Sequence, residues 1–222
     1  MSDHKITFTY LSQEDLLEAG CFDIHMAMEV AEKTMLAFKD NRILFPEKIV
    51  QIFDQASQDR INCLPATLLD EKVSGVKWVS VFPGNPALHG AQNLSAIFVL
   101  SEIEKGFPTA VMEGTLASNM RVAAMGGVAA KHLSRMDSEV IGFIGAGEQA
   151  KMHLLAMKVV RPSLKECRVA AKTIEEEEQF IEELSPLFTD MNFVSAKTHG
   201  RAAMEDADIL VTATSAQAPL LK

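Results

Sequence analysis

The sequence contains few cysteines, few aromatic residues and no long uncharged apolar run. Its 222 residues include three cysteines, Cys21, Cys63 and Cys167, and 6% aromatic residues. Three widely separated cysteines build neither a disulfide framework nor a zinc-ligand pattern, which is typical of a protein from a reducing compartment. The histidines also lack ligand spacing, so we predict no metal site.

The sequence also contains no candidate membrane segment and has more acidic than basic residues. No stretch of roughly 18 residues is apolar enough to span a bilayer, and no apolar run follows the first charged residues. We therefore expect no membrane span, no signal peptide and a cytoplasmic location. The 21 Lys and Arg residues are outnumbered by 30 Asp and Glu residues, giving a net charge of −9. This balance argues against a nucleic acid or an anionic membrane as the main partner.

The first 117 residues predict helices followed by a mostly antiparallel sheet. Ser12 is a helix cap, and apolar residues at helical spacing predict a second helix over residues 24–39. Extended segments then follow one another without long helices between them, which favours antiparallel pairing. The predicted strands cover residues 49–53, 60–65, 73–82, 94–100 and 109–112, the last two forming a hairpin.

The rest of the chain alternates between strands and helices. A helix rich in small residues is predicted over residues 115–133, and it can approach a neighbouring helix closely. The alternation after it indicates a parallel sheet, with strands at 139–144, 167–171, 192–194 and 209–214 and helices at 148–160, 175–184 and 200–205. We interpret the acidic run at 175–178 as a solvated helix face. The predicted class is α/β: an α+β domain at residues 1–117 and a partial Rossmann domain at residues 118–222.

One glycine motif carries a chemical prediction. The segment Gly145-Ala146-Gly147-Glu148-Gln149-Ala150 follows an apolar strand and opens a helix. This is the Gly-x-Gly-x-x-Ala form of the dinucleotide-binding loop: the first glycine permits a tight turn, the second admits the pyrophosphate, and the alanine allows close packing. The helix N-terminus offers N–H groups to the phosphates. Glu148 lies in the first turn, so its carboxylate must point away from them.

The end of the second Rossmann strand bears on the choice between NAD and NADP. An acidic residue there binds the ribose of NAD, but here Ala171 and Lys172 occupy the position. Without a carboxylate to repel a 2′-phosphate, and with a lysine to attract it, NADP is favoured over NAD. The alternative is that Lys172 is an ordinary exposed lysine.

Two cations occupy unusual positions. Strand alternation places Lys77 on the same side as Val73, Gly75, Val79 and Val81. It either extends its ammonium group to solvent or is held for a function. Arg121 lies early in a helix, where the macrodipole disfavours a cation. A cation is tolerated there if it and the helix N-terminus together bind an anion such as a carboxylate. A surface arginine is the equally open alternative.

Several further segments are distinctive when taken in order. They are Gly75-Val76-Lys77-Trp78-Val79, Pro83-Gly84-Asn85-Pro86, Glu113-Gly114-Thr115, Ser118-Asn119-Met120-Arg121-Val122-Ala123-Ala124, the glycine motif and Ala207-Asp208-Ile209-Leu210-Val211-Thr212-Ala213-Thr214. Together they extend over nearly the whole chain and resemble the ornithine cyclodeaminase/mu-crystallin family.

The resemblance implies an N-terminal substrate and homodimerisation domain, an NAD(P)-binding Rossmann domain and an active site between them. It implies hydride chemistry at the α-carbon of a small amino or imino acid, most specifically conversion of L-ornithine to L-proline and ammonia. By this analogy Lys77, Arg121 and Lys48 bind the substrate carboxylate, and Lys77 also serves in proton transfer. The segment Thr212-Ala213-Thr214 contributes to the cofactor site.

This sequence departs from the family pattern at two positions. Lys48 stands where an arginine is frequent, and Val122 replaces a threonine. Lys48 and the Gly-Val-Lys-Trp segment resemble the dehydrogenases of 2,3-diaminopropionate (siderophore precursor) synthesis about as much as the cyclodeaminases, so that function stays open. A catalytically silent, mu-crystallin-like protein that binds NADP or another ligand is the second alternative.

The strand count leads to an expectation about completeness. A doubly wound dinucleotide domain usually has six strands, and only four are predicted after residue 117. The resemblance implies that roughly the last third, with an acidic residue for proton transfer, is missing. We expect this chain to be a fragment that binds the ADP portion of the cofactor without completing the reaction.

Overall fold

A computed structural model describes residues 5–216 and 218–220. The chain forms two compact units, one comprising Met1–Met26 and Glu32–Ser118, the other Ala27–Ala31 and Asn119–Lys222. The predicted domain boundary after residue 117, with a role for each side of it, stays a prediction.

The helices and strands have the following bounds. The helices are α1 (Gln13–Glu18), α2 (Ile24–Lys39), α3 (Asn85–His89), α4 (Thr115–Leu133), α5 (Glu148–Val160), α6 (Ile174–Leu184) and α7 (Gly200–Met204). The strands are β1 (Thr9–Leu11), β2 (Ile43–Leu44), β3 (Ile49–Ile52), β4 (Arg60–Leu68), β5 (Val73–Val81), β6 (Leu94–Glu102), β7 (Pro108–Glu113), β8 (Val140–Ile144), β9 (Glu166–Ala170), β10 (Asn192–Ser195) and β11 (Ile209–Thr212).

The first unit contains a mixed sheet that is mostly antiparallel, as predicted. Its order is β1-β7-β6-β5-β4-β2, and β3 also pairs with β4. Every described pairing in it is antiparallel except that of β1 with β7. The sequence pattern did not predict β1, β2 or α3, because each is too short to show a period of its own.

A proline in the middle of β4 is accommodated by the pairing. On one side of β4, β3 pairs with residues 60–63 and β2 with residues 67–68. In the described part of the chain, Pro65 therefore lies between these two partners on that side. Because proline lacks an N–H group, a strand position at such a gap suits it.

The second unit contains a parallel sheet of order β10-β9-β8-β11. This is strand order 3-2-1-4 of a dinucleotide-binding fold, so the predicted Rossmann arrangement is confirmed. Phe143 of β8 and Phe180 of α6 are wholly buried in its core, with ring centroids 5.8 Å apart. Capping by Thr173 and Glu176 starts α6.

The small residues of α4 permit close packing within the second unit, as predicted. A Cβ atom at Gly126 would lie 2.7 Å from Cδ2 of His153, and one at Gly127 would lie 3.1 Å from Cβ of Ala156. Both neighbours belong to α5, so α4 and α5 approach more closely there than larger side chains would allow.

The acidic run on α6 is not uniformly solvated. Glu175, Glu176 and Glu178 are exposed, but Glu177 has no exposed surface. The prediction of a solvated face is therefore wrong for Glu177, which lies three and seven residues before the buried Phe180 and Leu184 and so shares their face of α6.

Candidate functional site

Gly145 forms the turn that ends β8. Its φ of +104° lies in the left-handed region, and a Cβ atom there would collide with the carbonyl oxygen of Ala213. Its N–H group donates to the carbonyl of Ala170 at 2.8 Å, while the N–H group of Ala213 donates to Ile144 at 2.9 Å. The turn thus joins the carboxyl ends of β9, β8 and β11, and only glycine suits it.

Gly147 caps α5 without being required by the fold. Its backbone is extended, with φ −79°, and a Cβ atom there would meet nothing within 4 Å. Open space therefore adjoins the first turn of α5, where N–H groups favour a phosphate. Ala150 is wholly buried, and Ala146 packs against the same core. The loop thus has the geometry that the motif predicts.

The two polar residues of the motif have defined partners. Glu148 forms an ion pair with Lys151 at 2.8 Å, which offsets the carboxylate charge. The side-chain amide of Gln149 donates to Oδ1 of Asn119 at 2.8 Å, whereas its Oε1 atom is buried without a hydrogen-bond partner in the described part of the chain. Gln149 thereby attaches the motif to α4.

The carboxyl end of β11 adjoins the glycine turn. Thr212 and Thr214 are exposed and line a pocket, and Ala213 is partly buried between them. The strand order reverses beside β8: β9 and β10 lie on one side of it, and β11 lies on the other. Ligands of open α/β sheets bind at such a switch point.

At the carboxyl end of β9 the backbone donors are already engaged. The N–H group of Ala171 donates to Glu177 at 2.9 Å, and those of Lys172 and Thr173 donate to Glu176 at 3.1 and 3.3 Å. The Lys172 side chain is exposed. A ligand at this loop would therefore be recognised through side chains.

In the first unit, Lys77 and Lys48 lie near each other along the sheet. Lys77 pairs with Leu64 of β4, and Lys48 directly precedes Ile49, whose partner is Cys63. Only β4 separates the two lysines, so their backbones are roughly 10 Å apart, twice the interstrand spacing. Lys77 is half-buried and Lys48 is exposed.

A neighbouring asparagine was not identified from the sequence. Asn62 pairs with Val79, two residues from Lys77, so both side chains lie on the same face of the sheet. The Oδ1 atom of Asn62 is buried without a hydrogen-bond partner among the described residues. A buried unpaired acceptor of this kind is costly, and no sequence motif marks it.

Arg121 lies in the second turn of α4 and is exposed. Desolvation by surrounding protein lowers the pKa of its guanidinium, which nevertheless stays charged at neutral pH. Among residues 5–216 and 218–220, no carboxylate forms an ion pair with it. Arg121 is therefore available to an anion.

Comparison with known proteins gives the family of this chain. Residues 17–222 match the ornithine cyclodeaminase/mu-crystallin family. The chain belongs to this family. It is similar to an alanine dehydrogenase of Archaeoglobus fulgidus, with 30% identity over 214 residues that represent 96% of this chain and 62% of the relative.

Solved structures of the family share the fold. The structure of Δ(1)-pyrroline-2-carboxylate reductase of Thermococcus litoralis, in complex with NADH and L-proline, matches with a TM-score of 0.88 and 31% identity, over 96% of this chain and 64% of that one. An archaeal alanine dehydrogenase dimer with bound NAD matches with a TM-score of 0.85 and 28% identity, over 96% and 62%. This chain thus spans less than two thirds of the length of these relatives.

Two absences apply to the described part of the chain. No helix there is long and apolar enough to cross a membrane. No group of three or more His, Cys, Asp or Glu side chains is placed to hold a metal ion.

Proposed function

We propose that this chain binds a nicotinamide dinucleotide and takes part in hydride transfer at the α-carbon of an amino or imino acid. The observation that carries the proposal is the Gly145 turn at the switch point of a 3-2-1-4 parallel sheet, with open space at Gly147. When bound, the nicotinamide ring would donate or accept the hydride.

The residues of the motif have separate tasks in this proposal. The first-turn N–H groups of α5 hold the pyrophosphate, and the missing Cβ of Gly147 lets it approach. Gln149 fixes the loop against α4 through Asn119. The cofactor site is lined beyond the glycine turn by Thr212, Ala213 and Thr214. These groups position the cofactor and perform no chemistry themselves.

Three cations are proposed for the substrate. Arg121 and Lys77 bind the substrate carboxylate, and Lys48 adds positive charge without the bidentate fork of an arginine. Lys77 also serves in proton transfer, since an ammonium group exchanges protons as a guanidinium does not. The unpaired state of Arg121 among the described residues supports its part of the proposal.

For the cofactor we propose a preference for NADP(H) over NAD(H). Ala171 places no carboxylate at the end of β9, and Lys172 is exposed beside it. The solved relatives named above were found with NADH or NAD, so a stronger affinity for NADPH would distinguish this chain from them. Equal affinities for NADPH and NADH would refute the preference proposed from Ala171 and Lys172.

We further propose that the protein is a cytoplasmic homodimer that associates through its N-terminal part. Pairing places Ile49, Trp78 and Ile97 in one row on one face of the first sheet. Their exposed fractions are 61%, 39% and 43%. Contiguous exposed apolar side chains of this kind are typical of a protein interface.

Binding and turnover test the proposed function separately. Titration with NADPH and NADH, followed by nucleotide fluorescence, should show saturable binding by the 222-residue chain. Absorbance of NAD(P)H should then be followed with L-ornithine, L-alanine, a cyclic ketimine and an N-substituted glutamate. Ornithine is the substrate that the sequence motifs favour. A fragment is expected to bind without turnover, so only binding without turnover by the intact protein would support the silent ligand-binding alternative. Absence of binding would refute the proposal.

A further inference from the structure

Glu177 is a buried carboxylate with four hydrogen-bond donors. Its Oε1 atom accepts from the N–H groups of Ala171 at 2.9 Å and Thr198 at 2.7 Å. Its Oε2 atom accepts from Oγ of Ser195 at 2.5 Å and from the N–H group of Lys197 at 3.0 Å. A buried charge without such partners would be strongly unfavourable, and these donors offset that cost.

These donors come from two different loops. Ala171 follows β9, whereas Lys197 and Thr198 follow β10. One side chain from α6 therefore ties together the loops at the carboxyl ends of two adjacent parallel strands. Both loops lie on the edge of the sheet that carries the Gly145 turn, because parallel strands end at the same edge.

The backbone of the second loop is strained. Lys197 and Thr198 have φ values of +51° and +65°, a region that is unusual for a β-branched residue such as Thr198. Such conformations persist only where the surrounding structure imposes them. Both strained residues donate their N–H groups to Glu177, so this carboxylate holds the conformation.

We propose that Glu177 is a positioning residue for the adenosine half of the dinucleotide, an inference that rests on the proposed function. Its carboxylate fixes loops 171–173 and 195–198 on either side of the place where the adenosine ribose binds in a Rossmann domain. Lys172 projects from the first of these loops. Glu177 does not touch the cofactor and acts through the backbone that it holds.

The test compares two neutral substitutions on one helix in the full 222-residue chain. Glu177→Gln replaces an acceptor oxygen by a donor NH₂ group, which must face an N–H donor of one loop. We expect it to weaken NADPH binding on the order of tenfold, as loss of hydrogen bonds to a charged group does. Glu178→Gln changes an exposed neighbour and should leave binding unchanged.

Amide hydrogen exchange supplies a readout without any ligand. In Glu177→Gln, exchange should accelerate at Ala171, Lys197 and Thr198 while the amides of β8 keep wild-type protection. Acceleration throughout the domain, without a local excess, would reduce Glu177 to a general stabilising residue and overturn the proposal. Wild-type affinity and wild-type exchange in a folded Glu177→Gln variant would also overturn it.

A second variant covers the case in which Glu177→Gln does not fold. Glu177→Asp keeps the charge but shortens its reach, so weaker binding and faster exchange at the same three amides are expected, with Glu178→Asp as the control. If the wild-type chain bound neither NADPH nor NADH, the proposed function itself would be wrong. Wild-type binding that is unaltered in Glu177→Asp would contradict only the role of Glu177.

Discussion

The two glycines of the cofactor loop should respond in opposite ways to substitution. Gly147→Val adds a side chain to an extended position with open space around it. Replacing glycine at such a position stabilises the folded protein by about 0.4–1 kcal/mol, because the unfolded chain loses conformational entropy. Valine is a poorer helix cap than glycine, and this destabilises the folded protein by a comparable amount. The two effects cancel to within about 1 kcal/mol, so the melting temperature should stay within about 4 °C of wild type.

Cofactor binding should nevertheless be lost in Gly147→Val. Its methyl groups would occupy the space that the pyrophosphate needs beside α5. Losing about two hydrogen bonds to a charged group, each worth about 1.5 kcal/mol, weakens binding on the order of 100-fold. Fluorescence titration with NADPH measures the loss, and a thermal melt by circular dichroism verifies the fold.

Gly145→Ala is the matched variant at the other glycine. An alanine in the left-handed region costs about 1–2 kcal/mol, and its Cβ would collide with the carbonyl of Ala213. The melting temperature should fall by roughly 2–4 °C or more for each kcal/mol lost. A stable Gly145→Ala variant, or a Gly147→Val variant with wild-type affinity for NADPH, would refute our account of the loop.

Three further predictions concern charged groups. Lys172→Asp should reverse the proposed cofactor order so that NADH binds more tightly than NADPH in the same titration; an unchanged order would show that Lys172 does not contact the ribose. The carboxylate of Asp208 accepts from the N–H groups of Glu139 and Val140, which hold its pKa below the ordinary 3.8. Asp208→Asn should therefore have a smaller free energy of unfolding than wild type at neutral pH, as measured with urea. The difference should shrink below about pH 3.8, because wild-type Asp208 then takes up a proton. A difference independent of pH would contradict this. Arg161 is buried and donates to five backbone carbonyls. Arg161→Met should therefore lower the free energy of unfolding in denaturant by at least about 3 kcal/mol. A loss below about 1 kcal/mol would show that the carbonyls find other partners.

Local signals allowed the secondary structure to be predicted well. The bounds of α2, α4 and α5 agree with the expected helices at 24–39, 115–133 and 148–160. Helical periodicity and caps depend on residues within a few positions of one another, and the sequence shows them directly. The pairing of β1 with β7 joins residues about a hundred positions apart, which no local pattern reveals.

The glycine turn could be predicted because its geometry is local. A turn with a φ near +104° strongly favours glycine, and Gly145 has that conformation. The partial burial of Lys77 among neighbours from β4 and β6, by contrast, depends on strand order. The sequence indicated only that Lys77 shares a face with apolar residues.

The sequence alone thus determined the helices, the alternation of the second half and the glycine turn, since each depends on neighbouring residues. Helical spacing places Glu177 on the same face as Phe180 and Leu184, but tertiary structure decided whether a carboxylate could be buried there. Glu175, Glu176 and Glu178 are chemically identical to Glu177, and helical position alone does not supply donors for a carboxylate. The Glu177 carboxylate is stable there because the chain returns after β10 and brings the N–H groups of Lys197 and Thr198 within hydrogen-bond distance, a contact spanning about twenty residues.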